Sequence, residues 1–140
     1  MTNNIYFIAN WKMFGKISSI NSINKVISLS KSPKYKKAKI IYCPPYTLLE
    51  KFNKKTINTN IQIGAQNFDQ LSDNGAFTGS ISAKLIKDTG SSYVILGHSE
   101  NRKIGETNKS INLKIKSALK NNLNVILCIG ETLKEKKNKK

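Results

Sequence analysis

The sequence is poor in several residue types, and their scarcity excludes whole classes of protein. Its 140 residues include two cysteines, three prolines, one tryptophan and one histidine. No apolar run approaches the roughly 20 residues that a membrane-spanning helix requires. The N-terminus also lacks the basic and apolar regions of a secretory signal. We therefore expect a soluble, cytoplasmic protein that does not bind membranes.

The two cysteines indicate little beyond a weak preference for a reducing compartment. Cys43 and Cys128 lie within or at the end of apolar, β-branched runs, where buried structural thiols are usually found. Their spacing matches neither a zinc site nor a small disulfide scaffold. The preferred interpretation is two buried thiols, and a bridge between them is the alternative.

Acidic residues are scarce, since Asp plus Glu is 8 against 24 for Lys plus Arg, which gives a net charge of +16. A basic domain can bind nucleic acid, yet Arg102 is the only arginine, and arginine is the better phosphate and base reader. The lysines are spread along the chain, and heavy use of Lys, Asn and Ile is typical of AT-rich coding sequences. We therefore expect no nucleic-acid binding and a solvated lysine tail over 134–140.

Short apolar runs alternate with amphipathic stretches, which is the pattern of a parallel α/β fold. Strands are predicted over 5–9, 40–43, 61–65, 93–97 and 125–129. Helices are predicted over 16–30, around 46–53, over 83–89 with Gly90 after its end, beyond Thr107 as N-cap, and near Thr132. At this spacing eight βα units need about 250 residues, the usual size of a (β/α)8 barrel. Periodicity alone leaves two architectures open, a small open doubly wound domain or the first part of a barrel.

Polar residues directly follow two of the predicted strands, where catalytic groups collect in parallel α/β folds. Asn10 and Lys12 follow the first strand, and extended backbone would point both the same way. An ammonium and an amide at a strand end suit a phosphate or an oxyanion. A surface lysine is the plainer interpretation, and Gln66 and Asn67 after the third strand are weaker candidates for further amide contacts.

His98, Ser99 and Glu100 follow the fourth strand. A lone histidine is usually a hydrogen-bonded core residue, but a helical turn after the strand would place its ring near unpaired N–H groups and favour neutral imidazole. A neutral imidazole can donate a hydrogen bond to a carbonyl. Glu100 could hold Lys12 in the site, and a surface salt bridge is the alternative.

Five short segments together resemble the triosephosphate isomerase family, in its order and at its spacing over essentially the whole chain. They are 9–13 (Ala-Asn-Trp-Lys-Met), 64–67 (Gly-Ala-Gln-Asn), 75–79 (Gly-Ala-Phe-Thr-Gly), 97–100 (Gly-His-Ser-Glu) and 128–132 (Cys-Ile-Gly-Glu-Thr). The resemblance implies that residues 1–140 are the N-terminal portion of one TIM-barrel domain whose strands six to eight are absent. It also implies a cytoplasmic isomerase of glycolysis and gluconeogenesis that interconverts dihydroxyacetone phosphate and D-glyceraldehyde 3-phosphate without metal or organic cofactor.

The resemblance assigns roles residue by residue. Asn10 and Lys12 bind the phosphorylated triose, and His98 is the neutral electrophile, a role already known for histidine in this family. Glu100 orients Lys12, while Ser99 and Cys128 support the site. The remaining assignment is a dimer loop, Phe77 and Thr78, which implies a homodimer.

The sequence departs from the family pattern in places. Ser80 and Asn101 stand where the family usually has an acidic residue and an arginine, so a salt bridge between those positions would lose both partners together. The segment 101–106 is one residue short of the common pattern. The family's general base, a glutamate after the sixth strand, has no counterpart here, and neither has the lid over the substrate. We therefore expect the chain alone to be inactive.

An unclosed sheet should also expose its two edge strands and leave barrel-facing side chains such as Ile8 and Ile95 without an opposite layer. Two other functions are the alternatives to the enzyme: a catalytically dead half-barrel that acts as an interaction protein, and a basic nucleic-acid-associated domain. Survival of Lys12, His98 and Glu100 argues against the first, and the second rests only on net charge.

Overall fold

The computed structural model describes residues 4–69, 74–131 and 133–138. Its strands are β1 Ile5–Asn10, β2 Ala38–Cys43, β3 Ile61–Ala65, β4 Tyr93–Leu96 and β5 Asn124–Leu127. Its α-helices are α1 Ile23–Ser30, α2 Leu49–Thr56, α3 Ala83–Asp88, α4 Ser99–Lys103, α5 Asn108–Lys120 and α6 Leu133–Lys137. Short 3₁₀ helices cover Ile17–Ser22, Pro33–Tyr35 and Tyr46–Leu48. The five predicted strands are confirmed.

The strands form one parallel sheet in chain order, from β1 at one edge to β5 at the other. Each helical connection carries the chain from one strand to its immediate neighbour, as right-handed βαβ units do. All the carboxyl ends therefore lie along one rim of the sheet. The residues after β1, β3, β4 and β5 meet at that rim.

Apolar side chains cover both faces of the sheet, which explains why its strands have continuous apolar runs. The larger cluster joins helices to strands and includes Ile23, Phe52, Ile63, Leu96 and Ile111. The smaller cluster lies on the opposite face and consists of Ile41, Cys43 and Ile95, with Tyr93, Ile126 and Cys128 packed against it. Alternate residues of a strand serve these two faces.

The predicted helix ends are largely confirmed. Thr107 Oγ1 accepts a hydrogen bond from Ser110 N at 3.2 Å and caps α5. Gly90 follows α3 with φ +90°, a conformation that glycine adopts without steric strain. The last helix begins at Leu133, and Thr132 lies outside the described residues.

The predicted helix over 16–30 is only partly α-helical. Its first part, Ile17–Ser22, is a 3₁₀ helix, and α1 begins at Ile23. Serine hydroxyls explain the difference because they bond the local backbone: Lys16 N donates to Ser19 Oγ at 2.9 Å, and Ser22 Oγ donates to Ser19 O at 2.7 Å. Such local bonds compete with α-helical ones.

Strand β1 is exposed, as expected for an edge of an unclosed sheet. Phe7 is 56% exposed and Ile8 is 43% exposed. Ile95 differs from Ile8, since this side chain is only 3% exposed. The reason is local packing: Ile95 is in the smaller cluster with Ile41 and Cys43, which cover it without an opposite layer.

We predict that the chain associates through β1, because an unpaired apolar edge strand favours pairing with another chain. Phe7→Lys should reduce association measured by sedimentation velocity across a concentration series. Phe14→Lys is the matched control, since Phe14 is 75% exposed but lies outside the strands. A monomeric wild-type chain with a sharp, concentration-independent thermal transition would contradict the prediction.

An ion pair is buried where α5 packs near the end of β3. Lys114 Nζ donates to Glu106 Oε1 at 2.6 Å and to Asn67 Oδ1 at 3.0 Å, and the Lys114 and Glu106 side chains are 10% and 7% exposed. Glu106 Oε2 is buried with no hydrogen-bond partner among the described residues. The carboxylate therefore depends on this single ammonium for charge compensation.

We predict that Lys114→Met destabilises the fold by about 3–5 kcal/mol, because it leaves a buried carboxylate without its counter-charge. The measurement is the free energy of unfolding in urea. Lys84→Met is the matched control, since it breaks the exposed Lys84–Asp88 pair and should cost less than about 0.5 kcal/mol. Glu106→Leu added to Lys114→Met should recover much of the loss, and a double variant no more stable than the single one would refute this account.

Candidate active site

The site begins where β1 ends and the chain turns sharply. Trp11 N donates to Cys43 O at 3.0 Å, and the Trp11 ring meets Phe52 edge-on, with 5.1 Å between ring centroids. Lys12 has φ +52°, which is left-handed backbone rather than the expected extended conformation. The idea that alternation places Asn10 and Lys12 on one face was therefore wrong. What joins them is a hydrogen bond, since Asn10 Oδ1 accepts from Lys12 N at 2.9 Å.

The Gln66 amide holds the other side of this turn. Gln66 Nε2 donates to Lys12 O at 2.8 Å and to Cys43 O at 2.9 Å. Left-handed backbone at a lysine is strained and persists only when the surroundings hold it. The two amide side chains, Asn10 and Gln66, bond the N–H and the C=O of Lys12 and so supply that restraint.

Glu100 contacts Lys12 at the rim next to β4. Lys12 Nζ donates to Glu100 Oε1 at 2.8 Å, with side chains 49% and 57% exposed. The hydrogen bond from Lys12 lowers the pKa of the Glu100 carboxyl from its ordinary value. Because both side chains are exposed to solvent, the ion pair contributes little to the free energy of unfolding. Its main consequence is the direction in which the ammonium points.

His98 lies at the end of β4 as the N-cap of α4, with its side chain 23% exposed. Its Nδ1 lies 3.3 Å from both Glu100 N and Glu100 Oε2. We assign Nδ1 as the acceptor from the amide, because an N-terminal helical N–H has no partner within its own helix, whereas the exposed carboxylate oxygen can bind water. A neutral ring then carries its proton on Nε2 and can donate it to a ligand.

The Glu100 carboxylate thus contacts both the ammonium of Lys12 and the imidazole of His98. Lys12 and His98 therefore lie at the same end of the sheet. A cleft of ≈ 700 Å³ opens beside His98 between the ends of β4 and β5, and its lining includes His98, Ser99, Cys128 and Glu131. Cys128 therefore lines the same cleft as His98. Ser99 is exposed at the first position of α4.

Both cysteines are free thiols, and Cys43 is the more buried of the two. Burial raises the pKa of the Cys43 thiol to about 12 and raises that of Cys128 as well, opposed there by the charge of Arg102. Thiols held in the protonated form are poor nucleophiles. The expectation of a buried thiol is therefore confirmed for Cys43, whereas Cys128 is free but only partly buried.

The proposed dimer loop is described only in part. Residues 70–73 lie outside the described residues, whereas Phe77 and Thr78 are placed and exposed. Phe77 is 46% exposed. Ser80 and Asn101 are both half-buried.

Sequence reasoning missed two features of the site's surroundings. One is the buried Lys114–Glu106 pair, for which a lysine inside the apolar repeat of α5 was the available signal. The other is Arg102, which binds backbone at the ends of β4 and β5. Its isolation as the only arginine could have drawn attention to it.

The described residues contain no group of three or more His, Cys, Asp or Glu side chains arranged to hold a metal ion. They also contain no helix long and apolar enough to cross a membrane.

Comparison with known proteins decides the family. The model of the triosephosphate isomerase family matches residues 5–140. This chain belongs to the triosephosphate isomerase family. It is 42% identical over 128 residues to a triosephosphate isomerase of Alkaliphilus oremlandii, covering 91% of this chain and 50% of that protein. It is 44% identical over 131 residues to one of Endomicrobium trichonymphae, covering 92% and 51%.

The fold agrees with this membership. The crystal structure of triosephosphate isomerase from Bartonella henselae superposes with a TM-score of 0.86 at 33% identity, covering 96% of this chain and 55% of that one. The predicted fold class, an incomplete (β/α)8 TIM barrel, is thereby confirmed. The chain spans about half the length of the curated relatives it matches.

We predict that the contact with Lys12 keeps Glu100 ionised to lower pH than an ordinary glutamate, since hydrogen bonding to the ammonium favours the carboxylate. The contact should therefore be intact at neutral pH and be lost only as the pH falls through this lowered pKa. Carboxyl ¹³C NMR titration measures it. In Lys12→Met the Glu100 midpoint should rise toward the ordinary value.

Glu50 provides the internal control for that titration. Its pKa is also lowered, by a hydrogen bond from Lys54, so Lys12→Met should leave the Glu50 midpoint unchanged. A Glu100 midpoint that does not move in Lys12→Met would mean that the contact does not exist in solution.

Proposed function

We propose that this chain supplies the substrate-binding lysine and the electrophilic histidine of an isomerase that interconverts dihydroxyacetone phosphate and D-glyceraldehyde 3-phosphate. Family membership supports the reaction. The observation that carries the proposal is the single carboxylate of Glu100, which contacts both Lys12 and His98. A three-carbon substrate can meet both groups only if they lie together at one rim.

In this mechanism the two groups both act on negative charge, Lys12 on the phosphate and enediolate and His98 on the carbonyl oxygen. The ammonium of Lys12 attracts the substrate phosphate and the negative charge that develops on the enediolate. The Nε2–H of neutral His98 donates to the carbonyl oxygen and then moves protons between the two oxygens. Asn10 contributes by fixing the turn that carries Lys12, and its amide nitrogen is available to substrate.

The reaction also needs a base that removes the proton from the carbon next to the carbonyl. By family resemblance this base is a glutamate after a sixth strand, whereas the described residues form five strands. Glu100 does not fill the role, because it is engaged with Lys12. We therefore propose that residues 1–140 are the N-terminal portion of one barrel domain and are inactive without strands six to eight.

The remaining parts of the proposal concern surroundings and partners. The reaction proceeds without metal or organic cofactor, in the cytoplasm, as a step of glycolysis and gluconeogenesis. The free thiols of Cys43 and Cys128 fit a reducing compartment. Nucleic acid is not a partner in this proposal, since the one arginine is engaged with the protein's own oxygens.

We also propose that the complete protein is a homodimer in which the loop around Phe77 and Thr78 enters the neighbouring subunit. The exposed Phe77 ring supports this, because a large exposed aromatic side chain on a loop is typical of interface anchors. Ser80 and Asn101 would change that interface without leaving a charge unpaired. The test is the mass of the assembly that this chain forms with the carboxyl-terminal half of a relative, which should contain two copies of each piece.

The test is reconstitution of activity from two pieces. The chain is mixed with the carboxyl-terminal half of the Alkaliphilus oremlandii relative, and conversion of D-glyceraldehyde 3-phosphate is measured. We predict turnover from the mixture and none above background from either piece alone. His98→Gln and Lys12→Met should each lower the activity of the mixture by about 100-fold or more.

Lys16→Met is the matched control, since Lys16 is an exposed lysine in the same loop and should leave activity unchanged. Normal turnover from rigorously purified chain alone would overturn the division of roles between the two halves. Equal losses in the Lys12 and Lys16 variants would overturn the assignment of Lys12.

A further inference from the structure

The only arginine of the chain joins three separate elements through their oxygen atoms. Arg102 Nε donates to Gly97 O at 2.7 Å, at the end of β4. Its Nη1 donates to Asn108 Oδ1 at 2.7 Å, at the start of α5, and its Nη2 donates to Cys128 O at 3.3 Å, just past β5. Among the described residues no carboxylate forms an ion pair with it. This cation therefore acts through backbone and amide oxygens.

The Gly97 peptide that Arg102 binds leads directly into His98. Gly97 has φ +71°, and a Cβ at this position would lie 2.8 Å from Arg102 Nη2 and 3.2 Å from Cys128 O. Glycine restricts its own φ and ψ angles very little, so the conformation of this peptide depends on the groups that bind it. The guanidinium lies over it and bonds its carbonyl.

The direction of the His98 ring depends on the same peptide. His98 caps α4, and Nδ1 meets Glu100 N at 3.3 Å, a weak contact that tolerates little displacement. Arg102 is on α4 as well, and its own N–H donates to His98 O at 3.1 Å. Side chain and backbone of Arg102 thus hold both peptides that flank His98.

Other polar groups near the ring do not provide this restraint. Glu100 Oε2 faces Nδ1, Lys12 reaches the ring only through that carboxylate, and Lys103, Cys128 and Glu131 line the adjoining cleft. A lysine at position 102 could not replace the arginine, since an ammonium lacks the planar fork that spans several fixed acceptors.

We propose that Arg102 is a positioning residue for His98: by bonding Gly97 O and Cys128 O together, it fixes the strand-end peptide that keeps the imidazole in its Nε2–H form. It contacts no reacting atom. The inference rests on the proposed role of His98, but it concerns the ring's protonation state, which can be measured without any catalysis.

The measurement is the tautomer of His98 by long-range ¹H–¹⁵N NMR of the chain at mildly alkaline pH, where the only histidine gives an unambiguous signal. The wild-type chain should show Nδ1 unprotonated and Nε2 protonated. Arg102→Lys keeps the charge but loses the fork, so we expect a mixture of both tautomers and a shifted Glu100 amide. Lys103→Arg, a charge-conserving change on the same helix, should leave both signals unchanged.

A merely structural role for Arg102 would lower stability and leave the tautomer of the folded chain as it is. A single Nε2–H tautomer with an unshifted Glu100 amide in folded Arg102→Lys would therefore overturn the proposal. If that variant does not fold, Asn108→Ala decides the matter, because it removes only the outer anchor of the guanidinium. It should shift the same signals in the same direction, and unchanged signals would overturn the proposal.

The reconstituted enzyme gives an independent readout. Arg102→Lys should lower kcat by about 10- to 100-fold, as expected for a misplaced catalytic group, with KM nearly unchanged because Lys12 keeps its contacts. A rise in KM at constant kcat would contradict the positioning role. Absence of activity in the wild-type mixture would instead overturn the proposed function, and the tautomer result would stand separately.

Discussion

The Glu100 carboxylate is the contact on which the rest of the site depends. Its two oxygens reach Lys12 Nζ and His98 Nδ1, which come from the ends of β1 and β4, strands that do not pair with each other. An exposed ion pair of this kind contributes little to stability. Its importance is geometric, because it brings two groups 86 residues apart in sequence to one place at the rim.

The backbone that carries Lys12 is strained, and the backbone before His98 contains the flexible Gly97. Side-chain amides restrain the first and a guanidinium restrains the second. Asn10 and Gln66 bond the peptide groups on either side of Lys12, and Arg102 bonds the peptide before His98. The Gln66 and Arg102 restraints also reach across to other strand ends, at Cys43 and Cys128. The rim is thus a network in which backbone groups are the fixed points, and Lys12 and His98 keep a defined direction although both are partly exposed.

Beneath the rim, the same βα alternation provides the rigid support. The buried Lys114–Glu106 pair ties α5 to Asn67 after β3, close to the turn that Gln66 holds. Apolar side chains pack the helices against the sheet, whereas β1 remains exposed at its edge. The polar groups at the rim are therefore well connected, while the edge strand β1 is uncovered. This agrees with a chain that spans about half the length of its relatives.

The sequence by itself determined the strands, most helix ends, the Lys12–Glu100 contact and the family, because apolar periodicity and short motifs are local signals. Serine bonding inside residues 16–30 shortened α1, and only the structure showed it, since such bonds depend on which donors are left free. Tertiary structure alone decided the left-handed turn at Lys12, the burial of Ile95, and the partners of Gln66, Lys114 and Arg102. Those features arise from groups brought together by strand pairing across long stretches of chain, and no local pattern of residues specifies which acceptor a long side chain will reach.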